Sequence, residues 1–320
     1  MDREFLIRAL CLYWPLLVAG VVWVLVRPGY FARVGLLMAV SWNLAVLPFV
    51  NGWALTMGWW RFHTDGPAVL GMPLELYLGW AAWWGVVLPL AGWKVARSRW
   101  PVFLGLVVAV AAVVDVIAMP MLDPVLVLDD GWWIGEGLLL AGVLAPGALA
   151  LWWTGRRVCL PGRVVLQGVA IGVLLLGVVP CVAERGSEWV MHGLSKPWWV
   201  SVSLGTLAAG FAVLGIVAAR EFVLVGRGTP LPFDPTQHLV TSGVYRWVAN
   251  PMQVSMVGLC VVWWLWFGSW WMLGLAALGA VYSEGLARWS EREDQSERFG
   301  EEWTAYRAKV RRWWPGRRRS

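Results

Sequence analysis

Two stretches of this 320-residue chain gather polar side chains of types that can bind a charged ligand or move a proton. The first is 220–251, REFVLVGRGTPLPFDPTQHLVTSGVYRWVANP, which holds His238, Arg246 and Asn250. The second is 288–310, RWSEREDQSERFGEEWTAYRAKV, with Glu291, Glu293, Asp294 and Glu297. A guanidinium suits an anionic group on a ligand, and a carboxylate suits a cationic group or accepts a proton. Two other acids stand apart in apolar surroundings: Glu75 in MPLELYLGW and Asp115 in AVVDVIAMP. An ionisable side chain inside a membrane span is costly and is by default a functional candidate. Glu75 and Asp115 are therefore candidate substrate contacts, with pairing to a neighbouring hydroxyl, amide or Arg as the alternative for Asp115. Metal chemistry is not expected. The histidines are only His63, His192 and His238, and Cys11, Cys159, Cys181 and Cys260 match neither a zinc spacing nor a disulfide framework.

The elements that must position these groups are membrane helices. Hydrophobic residues make up 59 % of the chain and charged residues 14 %. Soluble domains carry about 25 % charged residues, and apolar runs of about 20 mark spans. The sequence predicts an all-α, polytopic transmembrane bundle of about nine spans at 6–26, 32–52, 70–92, 101–121, 136–154, 164–184, 198–218, 252–267 and 269–287. The last two, separated by Gly268 and Ser269, read as a tight helical hairpin. With this count, 21 of the 26 basic residues fall on one side. Basic loops favour the cytoplasm, which places the N-terminus outside and the C-terminus in the cytoplasm of a cell-membrane protein. The first span is too long for a signal peptide and lacks a small-residue cleavage site.

The net charge of +6 is concentrated at the tail, where Arg311, Arg312, Arg317, Arg318 and Arg319 flank Trp313 and Trp314. That pattern suits anionic headgroups. Nucleic-acid binding is not expected, because no folded basic module accompanies the run.

The chain divides by character into a multi-span region, 1–195, and a second region, 196–320. Stretch 220–251 is too long and too polar for a plain connector, and loops of that length in a compact bundle are functional or disordered. Its prolines and apolar Leu239, Val240 and Tyr245 argue for order. In 288–310, Phe299, Trp303, Tyr306 and Val310 recur every three or four residues, which predicts an amphipathic helix at the interface with a bend at Gly300.

One ordered series runs through the second region: Gly226-x-Gly228-Thr229-Pro230-x-Pro232, Leu239-Val240-Thr241-Ser242-Gly243-x-Tyr245-Arg246, Asn250-Pro251-Met252, the hairpin, then Phe299-Gly300-x-x-Trp303-x-x-Tyr306 and Arg312-Trp313-x-Pro315. Over about residues 200–315 it resembles the isoprenylcysteine carboxyl methyltransferase and phospholipid methyltransferase superfamily.

The resemblance implies S-adenosyl-L-methionine as cofactor. It implies a pocket built by the loop before the penultimate helix, the hairpin and the start of the last helix. By position, His238, Leu239, Gly243, Tyr245, Arg246, Asn250, Pro251 and Glu291 would line it, with Tyr306 and Arg312 weaker candidates. Arg246 and the helix start after Pro251 suit the cofactor's carboxylate. Glu291, or an aromatic face such as Tyr245 or Trp247, suits its cationic end. Glu291 or Glu293 would take a proton from a neutral acceptor. Catalytic roles thus fall to Glu291, Glu293 and Arg246.

The chain departs from the usual pattern at Val244, Ala249, Gln253 and Gln295, which leaves the acceptor open. A prenylated carboxylate or thiol, an aminophospholipid and a terpenoid all fit a lipophilic acceptor reached from the bilayer. The alternatives are a sterol-reductase-like enzyme using NADPH and a non-catalytic lipid-binding or transport protein; no inverted repeat supports a transporter.

Overall fold

The computed structural model describes residues 3–63, 65–96, 99–184, 188–230 and 234–315. Pro232 and Arg317, Arg318 and Arg319, named above, lie outside them. The chain separates into two compact units, Met1–Val182 and Ala183–Ser320.

Among the described residues, seven helices are long and apolar enough to span a bilayer. They are α1 (Arg3–Val26), α2 (Tyr30–Thr56), α3 (Leu74–Val95), α4 (Trp100–Leu122), α5 (Trp132–Arg156), α6 (Leu160–Ala183) and, after a short α7 (Glu188–Leu194), α8 (Trp198–Gly226). The predicted count of nine is corrected to seven full spans plus a shorter hairpin. Its arms are α9 (Pro251–Phe267, 17 residues) and α10 (Trp270–Tyr282, 13 residues). At 1.5 Å per residue α9 reaches about 25 Å, less than a hydrocarbon core of about 30 Å, whereas α10 runs on without a break through Ser283–Ala287 into the next helix. The chain is an integral membrane protein, and its exposed Leu, Val, Ile and Trp side chains are those a lipid environment accommodates.

In the first unit α2 is the centre, packing on α5, α3 and α6. Small residues let the backbones meet, as expected where helix association depends on close packing. A Cβ on Gly35 of α2 would lie 2.8 Å from the Leu151 carbonyl oxygen of α5. One on Gly79 of α3 would lie 1.9 Å from that of Cys11 in α1. The loops following α2 and α4 pair as short antiparallel strands, Trp60–Phe62 against Leu126–Leu128. Loops after the second and fourth spans must emerge at the same membrane face, so this pairing agrees with the span order. Arg8, near the start of α1, is buried. It pairs with Glu4 and donates to the carbonyls of His63 and Asp65, tying the helix to the loop after α2.

In the second unit α8 packs on α9, and α9 on α10. The Ser255 hydroxyl of α9 donates to the Phe211 carbonyl of α8 at 2.6 Å. Gly268, at φ 77°, ends α9 in the left-handed conformation that Gly tolerates and turns the chain into α10. Past α10, a wide π-turn (Ser283–Ala287) leads into α11 (Arg288–Lys309). Gly300 breaks α11 at φ 51°, ψ −121°, at the predicted bend. The predicted stripe is also present: Tyr306 and Val310 are buried, while Phe299 and Trp303 are half-buried.

Candidate functional site

The described residues of the polar stretch between α8 and α9 hydrogen-bond to one another. Gly226 ends α8, and its carbonyl accepts the amides of Gln237 and His238, closing the loop on itself. A Cβ on Gly228 would stand 2.6 Å from the Thr236 backbone, so this crossing requires glycine. The chain then enters a 3₁₀ turn, Gly243–Arg246.

That turn is fastened on three sides. The Ser242 hydroxyl donates to Glu221 at the end of α8, at 2.5 Å. Gly243 has φ 54°, and a Cβ there would lie 2.7 Å from the Glu221 carboxyl carbon. The Tyr245 ring lies against Phe222, 5.4 Å between centroids, and its carbonyl accepts the Tyr306 hydroxyl at 2.8 Å. The two predicted tyrosines thus meet across the loop and α11. The Tyr245 hydroxyl is different: the residue is 4 % exposed, and that oxygen has no hydrogen-bond partner among the described residues. Burial pushes its pKa well up, and the charges of Glu221 and Glu291 push it the same way. Burial also raises Tyr306, against the opposing charge of Arg307. Both phenols are therefore donors at neutral pH.

A second knot forms where α9, the π-turn and the tail meet. The Asn250 amide donates to Glu291 Oε1 at 2.9 Å. Arg312, 7 % exposed, grips the same carboxylate at 2.8 and 3.2 Å. Its other donors go to the Ser283 hydroxyl at 3.1 Å and the Ser283 carbonyl at 2.6 Å. The Ser283 hydroxyl in turn donates to Gln253. Alongside, the Ala249 amide donates to the Arg311 carbonyl at 2.9 Å. The Trp313 indole donates to Glu284 at 2.6 Å. That bond, with Arg312 and Arg288 nearby, lowers the Glu284 pKa below the ordinary carboxylate value against a small desolvation cost.

Of the residues expected from sequence, Asn250 and Glu291 are joined directly, and Tyr245 and Tyr306 likewise. Pro251 opens α9, whose first turn receives no side-chain cap, while the Asn250 amide nitrogen donates to Glu291. Leu239 is half-buried, and His238 and Glu293 are exposed. The Arg246 side chain is exposed and carries no ion pair among the described residues. Glu75 and Asp115 belong to the first unit, the latter buried.

Sequence reasoning missed Glu221, Ser283 and the anchoring role of Gln253. Glu221 follows Arg220 at a helix end, where a charged pair reads as a membrane-edge anchor. Ser283 carried no signal, since its importance comes only from the π-turn that presents both its hydroxyl and its carbonyl to Arg312.

The fold and this site define a membrane-embedded helical domain with a braced polar loop at one end of a short hairpin. Residues 202–302 match the phospholipid methyltransferase family, which covers α8, the loop, the hairpin and the first part of α11. This agrees with the superfamily resemblance seen in the C-terminal third. No curated protein and no solved structure matches the chain.

Proposed function

We propose that the chain is an S-adenosylmethionine-dependent methyltransferase acting on a lipophilic acceptor at the cytoplasmic face. Its support is one arrangement within the region matched to the methyltransferase family. The turn Ser242–Arg246 is locked from behind by Glu221 and Tyr306, which leaves the Arg246 guanidinium exposed and without an ion pair among the described residues.

The donor set suits the cofactor. Arg246 and the uncapped amides at the start of α9 would receive a carboxylate. The buried Tyr245 hydroxyl offers a donor still lacking an acceptor. The carboxylate of Glu221 and the aromatic faces of the turn suit a cationic centre. The cofactor supplies an activated methyl group on a sulfonium, and the protein supplies proximity, alignment and a dry site. Glu291 works as a positioning residue: both its oxygens are occupied, so it fixes Asn250 and Arg312 and through them the start of α9. Glu293, exposed and without such partners, is then the better acceptor for a proton released by a neutral nucleophile.

Loop 227–250 and the tail meet through Ala249 and Arg311, so they share one membrane face. The basic residues there support the reading that this face is cytoplasmic. The cofactor would arrive from water and the acceptor from the bilayer beside the short hairpin. The acceptor class is a prenylated carboxylate or thiol, an aminophospholipid, or a terpenoid.

Methyl-tritiated S-adenosylmethionine incubated with the purified protein and a total lipid extract tests this. Label is expected in the organic phase, reduced at least about tenfold by Arg246→Ala, the factor carried by roughly 1.4 kcal/mol of lost charge-assisted bonding. No lipid-soluble label from folded wild-type protein across prenylated, phospholipid and terpenoid acceptors would overturn the proposal.

A further inference from the structure

The segment that follows α11 has an inner and an outer side, and the methyltransferase reading uses only the inner one. Val310 leaves the helix in an extended conformation, φ −109° and ψ 132°. Successive side chains then point to opposite sides. Val310 and Arg312 are buried, whereas Lys309 before them, Arg311 between them and Trp314 beyond them are exposed. The Ala249 amide donates to the Arg311 carbonyl at 2.9 Å, which lays the segment along the loop just before α9. The loop divides in the same way. Tyr245 and Val248 are buried, and Trp247 between them is exposed. Two cations and two indoles, the latter 58 % and 75 % exposed at Trp247 and Trp314, thus flank one backbone bridge.

The protein does not neutralise these cations. Lys309 and Arg311 form no ion pair among the described residues. The acids of the adjoining network are taken: Glu284 by Trp313 and Arg288, Glu291 by Asn250 and Arg312. The position of the bridge in the chain says what covers it. It adjoins Pro251, where the first arm of the apolar hairpin begins, so it lies at the edge of the membrane region. Indoles favour the headgroup level, and basic side chains at that level attract anionic lipids. A soluble acidic partner would match the charges but would offer the indoles no apolar layer to enter.

We infer that Lys309, Arg311, Trp247 and Trp314 form a docking surface for the headgroups of anionic phospholipids in the surrounding bilayer, and that docking strengthens ligand binding by the loop. Headgroups that hold Arg311 hold the tail on the loop. Arg312, the next residue, grips Glu291, and Glu291 fixes Asn250 at the start of α9. Lipid and loop ligand then favour the same bonded arrangement, and each raises the affinity of the other by the same factor. The coupling rests on the methyltransferase reading; the docking does not.

Photoactivatable phosphatidylglycerol and phosphatidylcholine, with the same acyl chains and a headgroup-level label, test the docking on the full chain in nanodiscs. Peptide mass spectrometry locates the label. Peptides holding Trp247 or Trp314 are expected to take at least about fivefold more phosphatidylglycerol, the factor of one basic group near an anionic surface. The double variant Lys309→Gln/Arg311→Gln is expected to lose that preference at those peptides, as is wild type in high salt. The variant keeps the bridge, because the Arg311 bond to Ala249 runs through its carbonyl. Equal labelling by the two lipids, or a preference that survives in the variant, would overturn the inference. So would loss of the label to a soluble polyglutamate peptide, which would assign the surface to an acidic protein. The coupling is read by S-adenosylhomocysteine affinity, expected to rise several-fold when phosphatidylglycerol replaces phosphatidylcholine, in wild type only. Equal affinity in the two bilayers would overturn the coupling. Absence of binding in both would overturn the methyltransferase reading instead, and the labelling would still decide the docking.

Discussion

Arg312 is the residue whose loss should do most to undo the second unit, and its cost can be worked from its contacts. Replacing it by Met keeps most of the apolar stem and removes the guanidinium. Four hydrogen bonds go with it, two to Glu291 and two to Ser283. Removing one partner of a buried ion pair costs about 3–5 kcal/mol. Glu291 is 27 % exposed on its side chain and keeps Asn250, so water and the amide recover part of that. About 3 kcal/mol is the expected destabilisation after that discount. Glu291→Gln should cost about 2 kcal/mol by the same reasoning, because Arg312 retains Ser283 and stands 3.6 Å from Glu284. If the two act through one bond pair, the double variant should fall short of the summed losses by about 2 kcal/mol. Unfolding in mixed micelles, followed by protection of the tail from protease, measures this. Binding of S-adenosylhomocysteine should weaken in step, because the pair holds Asn250 at the start of α9. Additive losses within about 0.5 kcal/mol, or unchanged ligand affinity in Arg312→Met, would refute the claim that the network braces the site.

Three further outcomes follow from the same geometry. Gly243→Ala must place a Cβ on a residue at φ 54° and against Glu221, so it should destabilise by at least about 1 kcal/mol, measured as a lower Tm with weaker ligand binding. Tyr306→Phe leaves the buried Tyr245 carbonyl without its donor, and the same melts should record a loss of about 1–2 kcal/mol. The Glu284 pKa is depressed in the folded state, so its contribution is fully present above the ordinary carboxylate value and is lost as pH falls through the lower, folded-state value. The Tm difference between wild type and Glu284→Gln should therefore shrink as pH falls below about 4, and a difference that grows there would reverse the assigned sign.

The membrane class and most span positions were legible because apolar runs of bilayer length leave little alternative. The hairpin was legible as a hairpin but not as a short one. Its second arm runs without a break through a π-turn into α11, so the change to charged residues at 288 marks a change of surroundings and not the end of a helix. Gly300 was readable as a bend because only glycine enters φ 51°, ψ −121° cheaply. Within the site, types were easier to read than partners. Asn250 and Glu291 were both singled out, but their bond crosses 41 positions, and Arg312, which grips the same carboxylate, read only as a weaker candidate in a basic tail.

The central claim is that the loop between α8 and α9 binds an S-adenosyl ligand through Arg246. Calorimetric titration of the detergent-purified protein with S-adenosylhomocysteine, in wild type and Arg246→Ala with matched Tm values, tests it most directly. The account predicts saturable binding to wild type and a loss of at least about tenfold in affinity in the variant. No heat of binding at millimolar ligand in folded wild-type protein, or equal affinity in the two, would contradict it.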